Sequence, residues 1–196
     1  MSIRLFDSHA HLNSERFKKD AKEVRQAGMD GGVVGLLNVG YDLKTSRLAI
    51  RQAEEFENVW AAVGIHPHDA KDYTLEIEEE LRKMAVHPKV VAIGEMGLDY
   101  HYMNSPKEVQ REVFIKQMEL AREVDLPIII HDREAHAECL ELIQTHGQGL
   151  QGVFHCFSGS KEFALEVIRL GFYVSFAGPV TYKNARNLKE AAQAVP

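Results

Sequence analysis

Cysteine is scarce in this chain: Cys139 and Cys156 are the only two among 196 residues, far apart and in no C-x-x-C spacing. That excludes a disulfide framework and fits a reducing cytosol. Long apolar runs are missing too. No segment approaches the ~18 consecutive apolar residues of a membrane span. The N-terminus, MSIRLFDSHAH, has no charged stretch leading into an apolar one. Neither a secretory signal nor a span is therefore expected, and a cytoplasmic protein is. Positive charge is in deficit, with 23 Lys and Arg against 29 Asp and Glu, a net charge of −6. The pI of about 5.9 argues against a broad basic footprint for duplex DNA. It leaves room for a local phosphate site, because bound cations can be the largest charges there. No G-x-G-x-x-G follows the first strand, which weakens a dinucleotide-binding reading. No repeat, low-complexity run or linker interrupts residues 1–196, so a single domain is expected, long enough for a full core.

What is present is an ordinary soluble composition, 45% apolar and 27% charged, with an unusual ten histidines. Two of them lie in Phe6-Asp7-Ser8-His9-Ala10-His11, in a first strand expected over residues 3–9. Side chains alternate faces in a strand, so His9 and His11 point the same way, with Asp7 one step back on that face. Two imidazoles held side by side suit a first-row metal ion. Two hydrogen-bonded core histidines are the plainer alternative, because H-x-H is short.

The pattern then alternates. A helix is expected from Glu15 to Gly28, with Phe17, Ala21, Val24 and Ala27 at helical spacing and Gly28 as its C-cap. Gly32 to Val39 reads as a strand buried on both faces. Leu43 to Phe56 is helical, Val59 to Ile65 a strand, Thr74 to Val86 helical, and Val90 to Ile93 starts a strand running into Gly94-Glu95-Met96-Gly97-Leu98-Asp99. Ser105-Pro106-Lys107-Glu108 reads as a capping box with proline at the first helical position, followed by a stripe of Val109, Val113, Leu120 and Val124. Strands at Pro127 to Ile130, Gly152 to Phe154 and Phe172 to Phe176 alternate with helices over 134–146, 160–170 and Ala185 to Ala194.

Seven strand–helix units in strict alternation, with strands apolar enough to be buried on both faces, imply a parallel sheet with helices outside. Polar residues gather at the ends of strands one, three, four, five, six and seven. A barrel collects many strand ends on one active face, whereas an open sheet concentrates its site at a single switch point. The expected fold is therefore a (β/α)8 TIM-type barrel with about seven units present. A barrel of this kind usually takes ~250 residues. One unit fewer would leave two unpaired edges, a known liability. A shortened form of a longer parent is one expectation, and a second copy supplying the missing edge partner is the other.

On a barrel, the strand ends bring together His9, His11, Glu95, His131 and His155. Imidazoles plus a carboxylate suit Zn, Mn or similar ions. Four histidines point to two ions, because each keeps open positions for water and substrate. Glu95 falls between the two histidine groups and suits a bridging role. Ions ~3.5–4 Å apart clamp an in-line displacement. His66 and His68 also lie at a strand end, and His66 is assigned to substrate contact before ligation. His87, His136 and His146 are expected to be solvated, and His101 is open either way. Arg133 offers a planar fork for a phosphate. Ser158 and Gly159 are read as opening the sixth helix, a favourable anion position. Lys183 adds a cation. For Arg133 and Lys183 a surface ion pair is the alternative. Asp99 and Tyr100 are placed beneath the ligands or at the rim, and Cys156 is assigned to packing.

The runs FDSHAHL, GIHPH, GEMGLDYH, PIIIHDREA, FHCFSGS and SFAGPVTYKN, in that order, resemble the TatD family of metal-dependent deoxyribonucleases within the amidohydrolase-like barrels. The resemblance covers essentially the whole chain. It implies hydrolysis of phosphodiester bonds in DNA with divalent cations (Zn, Mn, Mg, Ni or Co) by two-metal activation of water, in several members from the 3′ end, while the few basic residues point to single strands or frayed termini. It further implies one ion on His9, His11 and Glu95 and a second on Glu95, His131 and His155, and it favours substrate contact for Arg133 and Lys183. The family also uses an aspartate in an E-T-D-x-P-Y-like run on the eighth strand, and no such run occurs here. The ion at His9 and His11 is accordingly expected to be the more weakly held. Two other readings stand beside the nuclease. One is a barrel hydrolase acting on a C–N or lactone bond, though relatives of that kind often carry a carboxylated lysine where this chain has Glu95. The other is a catalytically incompetent fragment that retains metal or binds a partner.

Overall fold

A computed structural model of the chain describes residues 4–196. Seven strands form one sheet: β1 (Leu5–Ala10), β2 (Val33–Val39), β3 (Val59–Val63), β4 (Val90–Asp99), β5 (Ile128–Arg133), β6 (Gly152–Phe154) and β7 (Tyr173–Val174). Every neighbouring pair is parallel and the spatial order is the chain order, β1 to β7. The helices α1 (Ala21–Asp30), α2 (Leu43–Glu55), α3 (Leu75–Ala85), α4 (Lys107–Glu123), α5 (His136–His146), α6 (Lys161–Arg169) and α7 (Arg186–Ala194) follow one per strand. The sheet curls as seven units of a (β/α)8 barrel, which is the expected fold. Position 3, the expected start of the first strand, lies outside the described residues.

The two faces of the sheet carry different cores. Leu36, Ala61, Val63, Ile93, Met96, Leu98, Ile128, Ile130 and Phe154 pack outward against helix residues such as Leu81, Phe114, Met118 and Leu142. The alternate positions Val39, Ala62, Ala92 and Ile129, joined by Leu37 and Val153, form a smaller inner cluster made only of strand residues. Inward positions further along the strands become the site. Polar side chains cap several helix starts. Asp42 and Thr45 form a reciprocal capping box on α2, Thr74 accepts from the Ile77 amide at the start of α3, and Ser160 accepts from the Phe163 amide at the start of α6.

Four local expectations need correction. The helix expected from Glu15 to Gly28 is two pieces, a 3-10 turn at Glu15–Phe17 capped by Ser14 and then α1, which Gly31 ends in place of Gly28. Ser158 and Gly159 precede the sixth helix and do not open it, because Ser160 is its N-cap. Ser105 does not form a capping box with Glu108. Its hydroxyl donates to the His68 carbonyl at 2.8 Å and accepts from the Lys71 amide at 3.1 Å. Pro106 is consequently the residue before α4, with no side-chain cap. Finally, burial on both faces does not extend to the first strand: Leu5 and Phe6 on β1 are 51% and 54% exposed.

Two glutamines on α4 bear directly on the site. Gln117 accepts from the Ile65 amide at 2.8 Å and donates to its carbonyl at 2.9 Å. Gln110 does the same for Asp99, at 2.8 and 3.1 Å, and donates to the Ser105 carbonyl as well. Both side chains are fully buried and stand in for strand hydrogen bonds where β3 and β4 open into loops. Removing either leaves buried backbone groups unpaired, at a cost of ~1–3 kcal/mol each. The loops that carry His66 and Asp99 are therefore fixed from behind by a helix.

Candidate metal centre

Glu95 is the hub. A plain alternation along β4 would put it on the helix side with Ile93, but Met96 and Leu98 occupy that side. A register shift between Ile93 and Met96 turns Glu95 and Asp99 to the interior instead. Gly94 permits the close pass, with φ of +146° and space so tight that a Cβ would lie 2.7 Å from the Ile129 carbonyl oxygen.

The two carboxylate oxygens of Glu95 serve different histidines. Oε2 lies 3.3 Å from His9 Nε2 and 3.5 Å from His11 Nε2. Oε1 lies 2.6 Å from His155 Nε2, 2.9 Å from His131 Nδ1 and 3.6 Å from His66 Nε2. His9 and His11 point their Nε2 atoms at each other across 3.0 Å, and His11 Nδ1 meets the Val39 carbonyl at 2.9 Å. His9 stacks on His155 with ring centroids 3.8 Å apart, while its own buried Nδ1 has no partner. Two compact donor groups result, His9–His11–Glu95 and His66–Glu95–His131, each with all donor atoms within 4.8 Å. Imidazole nitrogens with one shared carboxylate are the donor set of Zn, Mn, Co or Ni, so the residues present fit divalent ions.

Burial and charge set the protonation of these groups. Burial pulls His9 down to about 4 and His66 to about 3, so both are neutral with free lone pairs at pH 7. Burial alone would raise Glu95, but His155, His11 and His131 hold its carboxyl well below the usual range. Burial would likewise lower His131. Asp99 and Glu95 outweigh it and push His131 up to about 9. His131 is gripped from both ends, since its Nε2 meets Asp99 Oδ2 at 3.0 Å. The same Oδ2 receives His68 Nε2 at 3.0 Å, while Oδ1 accepts from the amides of His101 and Tyr102 at 3.1 and 2.9 Å. Asp99 thus orients His131 and organises the following loop.

Other residues named from the sequence are placed as follows. His66 lies in a donor group with Glu95 and His131, while His155 reaches the same oxygen from the other side. Asp7 joins neither group. Its carboxylate accepts from the His9 amide at 3.1 Å and is exposed. Arg133 and Ser158 line a cleft of about 340 Å3 with His131, Asp132, His155 and Cys156. Gly159 is buried against Phe157 and Phe163, and Lys183 is exposed and outside the lining of that cleft. Burial pushes the Cys156 thiol up, which disfavours a thiolate. His136 is not simply solvated: it is half-buried, 2.7 Å from Asp132 and stacked on Phe163. Tyr100 is tied to Glu138 at 2.6 Å, and His101 to Glu134 at 2.7 Å. The strongest contributors that sequence reasoning missed are Gln110 and Gln117. Two glutamines seven apart on the apolar face of a helix were the available signal.

A curled parallel sheet with a histidine–carboxylate cluster at the carboxyl ends of its strands defines a metal-dependent hydrolase of the barrel type. The family model described as TatD related DNase matches residues 6–196, and the chain belongs to that family. It is 46% identical over 193 residues to the uncharacterized metal-dependent hydrolase YabD of Bacillus subtilis, covering 98% of this chain and 76% of that protein. It is 34% identical to the 3′-5′ ssDNA/RNA exonuclease TatD of Escherichia coli, covering 98% of this chain and 75% of that one. Among solved structures, YJJV, a TatD homolog from Escherichia coli, superposes with a TM-score of 0.93 at 28% identity, over 100% of this chain and 76% of that one. The protein is accordingly a hydrolase of metal-dependent type. Among the described residues no helix is long and apolar enough to cross a membrane.

Proposed function

We propose that this protein is a two-ion phosphodiesterase that removes nucleotides from the 3′ ends of single-stranded or frayed DNA in the cytoplasm. The single observation that carries the proposal is the division of Glu95, with Oε2 toward His9 and His11 and Oε1 toward His66, His131 and His155. A carboxylate shared in this way suits a pair of neighbouring ions. Bound divalent ions would supply Lewis acidity and an activated water at neutral pH. The ions would be held by His9, His11, Glu95, His131 and His155, with His66 placed to contact either an ion or the substrate.

The chain's own residues do the rest. His9 and His66 present lone pairs without first losing a proton, because burial keeps them neutral. Glu95 stays ionised and neutralises cationic charge. Asp99 holds the ring of His131 in one orientation. Arg133 and Ser158, on the cleft wall beside His131 and His155, are placed to hold the phosphate. Acidic net charge, with few basic residues to track a duplex backbone, favours a single strand over sequence-specific binding to duplex. The name of the Escherichia coli relative supports the same polarity.

The direct assay is release of nucleotides from 5′-labelled single-stranded DNA. Release is expected with a divalent ion, and it is expected to be abolished by EDTA and by Glu95→Ala. Absence of any metal-dependent release, or full activity in Glu95→Ala, contradicts the proposal.

A further inference from the structure

We infer that Tyr102 is a stacking platform for a nucleobase, seating the base of the nucleotide whose phosphate is held at Arg133. The inference rests on the phosphodiesterase reading and adds to it a second recognition element, for the base.

Tyr102 lies in the loop after β4, and its side chain is 55% exposed. Tyr100, two residues earlier, is a useful contrast. Its hydroxyl is tied to Glu138 at 2.6 Å and the residue is only partly exposed, the pattern of an aromatic used for packing. Among the described residues the Tyr102 hydroxyl has no such bond, and the ring is held instead by the His101 and His68 rings, which meet it at right angles with centroids 4.7 and 5.4 Å away. The Tyr102 amide donates to Asp99 Oδ1 at 2.9 Å, and the neighbouring His101 amide donates to the same oxygen at 3.1 Å. The His101 ring is pinned to Glu134 at 2.7 Å. The other oxygen of Asp99 holds His131, so one carboxylate orients that histidine and fixes the backbone that carries Tyr102.

The Arg133 guanidinium lies 4.8 Å from the centre of the Tyr102 ring and also lines the cleft that contains His131 and His155. A cation suited to a phosphate thus lies against one side of an aromatic ring that remains more than half exposed. A planar group carrying an anion satisfies both, and a nucleotide has that form. Base–aromatic stacking tolerates any base, which fits an enzyme that removes nucleotides in succession.

The test uses 5′-fluorescein oligonucleotides whose last linkage is a phosphorothioate. One ends in a normal nucleotide, and the other ends in an abasic residue. Binding is read by anisotropy with the divalent ion present, for the wild type, Tyr102→Ala and Tyr102→Phe. Loss of the terminal base is expected to weaken wild-type binding about ten-fold. Tyr102→Ala should weaken binding of the normal oligonucleotide by the same factor and leave the abasic one unchanged, while Tyr102→Phe keeps the base preference. Because Tyr102 is exposed, Tyr102→Ala should melt with the wild type.

Equal binding of both oligonucleotides by the wild type, or independent and additive losses, overturns the platform, and so does failure to bind either one. Base-dependent binding by a protein that releases no nucleotide from ordinary DNA supports the platform and refutes the phosphodiesterase reading alone. Release of nucleotides without base dependence does the reverse.

Discussion

His9 and Glu95 approach to 3.3 Å, yet they stand on strands of opposite character. β4 is buried along nearly its whole length, flanked by β3 and β5, with Gln110 fastening its end from α4. Among the described residues, β1 is exposed over its first positions and pairs with β2. The histidines on the β4 side are braced accordingly. His131 has Asp99 behind it, and His66 is held by a segment that Gln117 locks in place. On the β1 side His11 leans on one carbonyl of β2, and His9 has a buried Nδ1 with no partner. Similar donors are thus presented by unequal scaffolds, and a rigid scaffold loses less entropy when it closes on an ion.

The largest effect is expected on the braced side. Asp99→Asn removes the charge behind His131 and should weaken the tighter ion 10–100-fold, by roughly the usual loss for such a partner. Calorimetric titration of the metal-free protein should show two phases, with the weaker assigned to His9 and His11. His11→Ala should erase the weak phase and spare the strong one. Two phases of equal affinity would break the comparison.

A smaller effect is expected from pH in the metal-free protein. The pKa of His131 is raised in the fold to about 9, so its stabilising contribution is complete below about 6.5 and is lost as pH rises through 9. His9 and His66 are depressed to about 4 and 3, so their contribution is present above about 6.5 and is lost as pH falls toward those values. Melting temperature in EDTA should therefore peak near neutrality and fall on both sides. Asp99→Asn should flatten the alkaline side, and it also removes the acid-side contribution of Asp99, whose carboxyl His131 and the Tyr102 amide hold below the usual range. A melting temperature independent of pH between 7 and ~9.5 contradicts this.

Much of this arrangement is legible in the chain. The β-branched runs at Val33–Val39 and Val90–Ile93 alternate with helical stripes, which is enough for a parallel sheet, and the histidines at strand ends mark the active face. What escapes periodicity is anything decided by a local irregularity or a long-range partner. Glu95 would face the helices by simple alternation, and only the shift at Gly94 brings it inside. Ser105-Pro106-Lys107-Glu108 has the residues of a capping box, but a tertiary contact to His68 takes the hydroxyl. Gln110 and Gln117 fall on the apolar face of α4, but the backbone groups they satisfy, at Asp99 and Ile65, are set only by the tertiary fold. The first helix breaks at Lys18 and Lys19 because Ser14 and Asp20 each start a separate turn.

The central proposal is that Glu95 would be shared by two ions, one on the side of His9 and His11 and one on the side of His131 and His155. Electron paramagnetic resonance of the manganese-loaded protein tests it most directly. The shared carboxylate predicts the multiline signal of an exchange-coupled pair, replaced in Glu95→Gln by isolated or absent manganese. Uncoupled manganese in the wild type at saturation, or coupling that survives in Glu95→Gln, would contradict it.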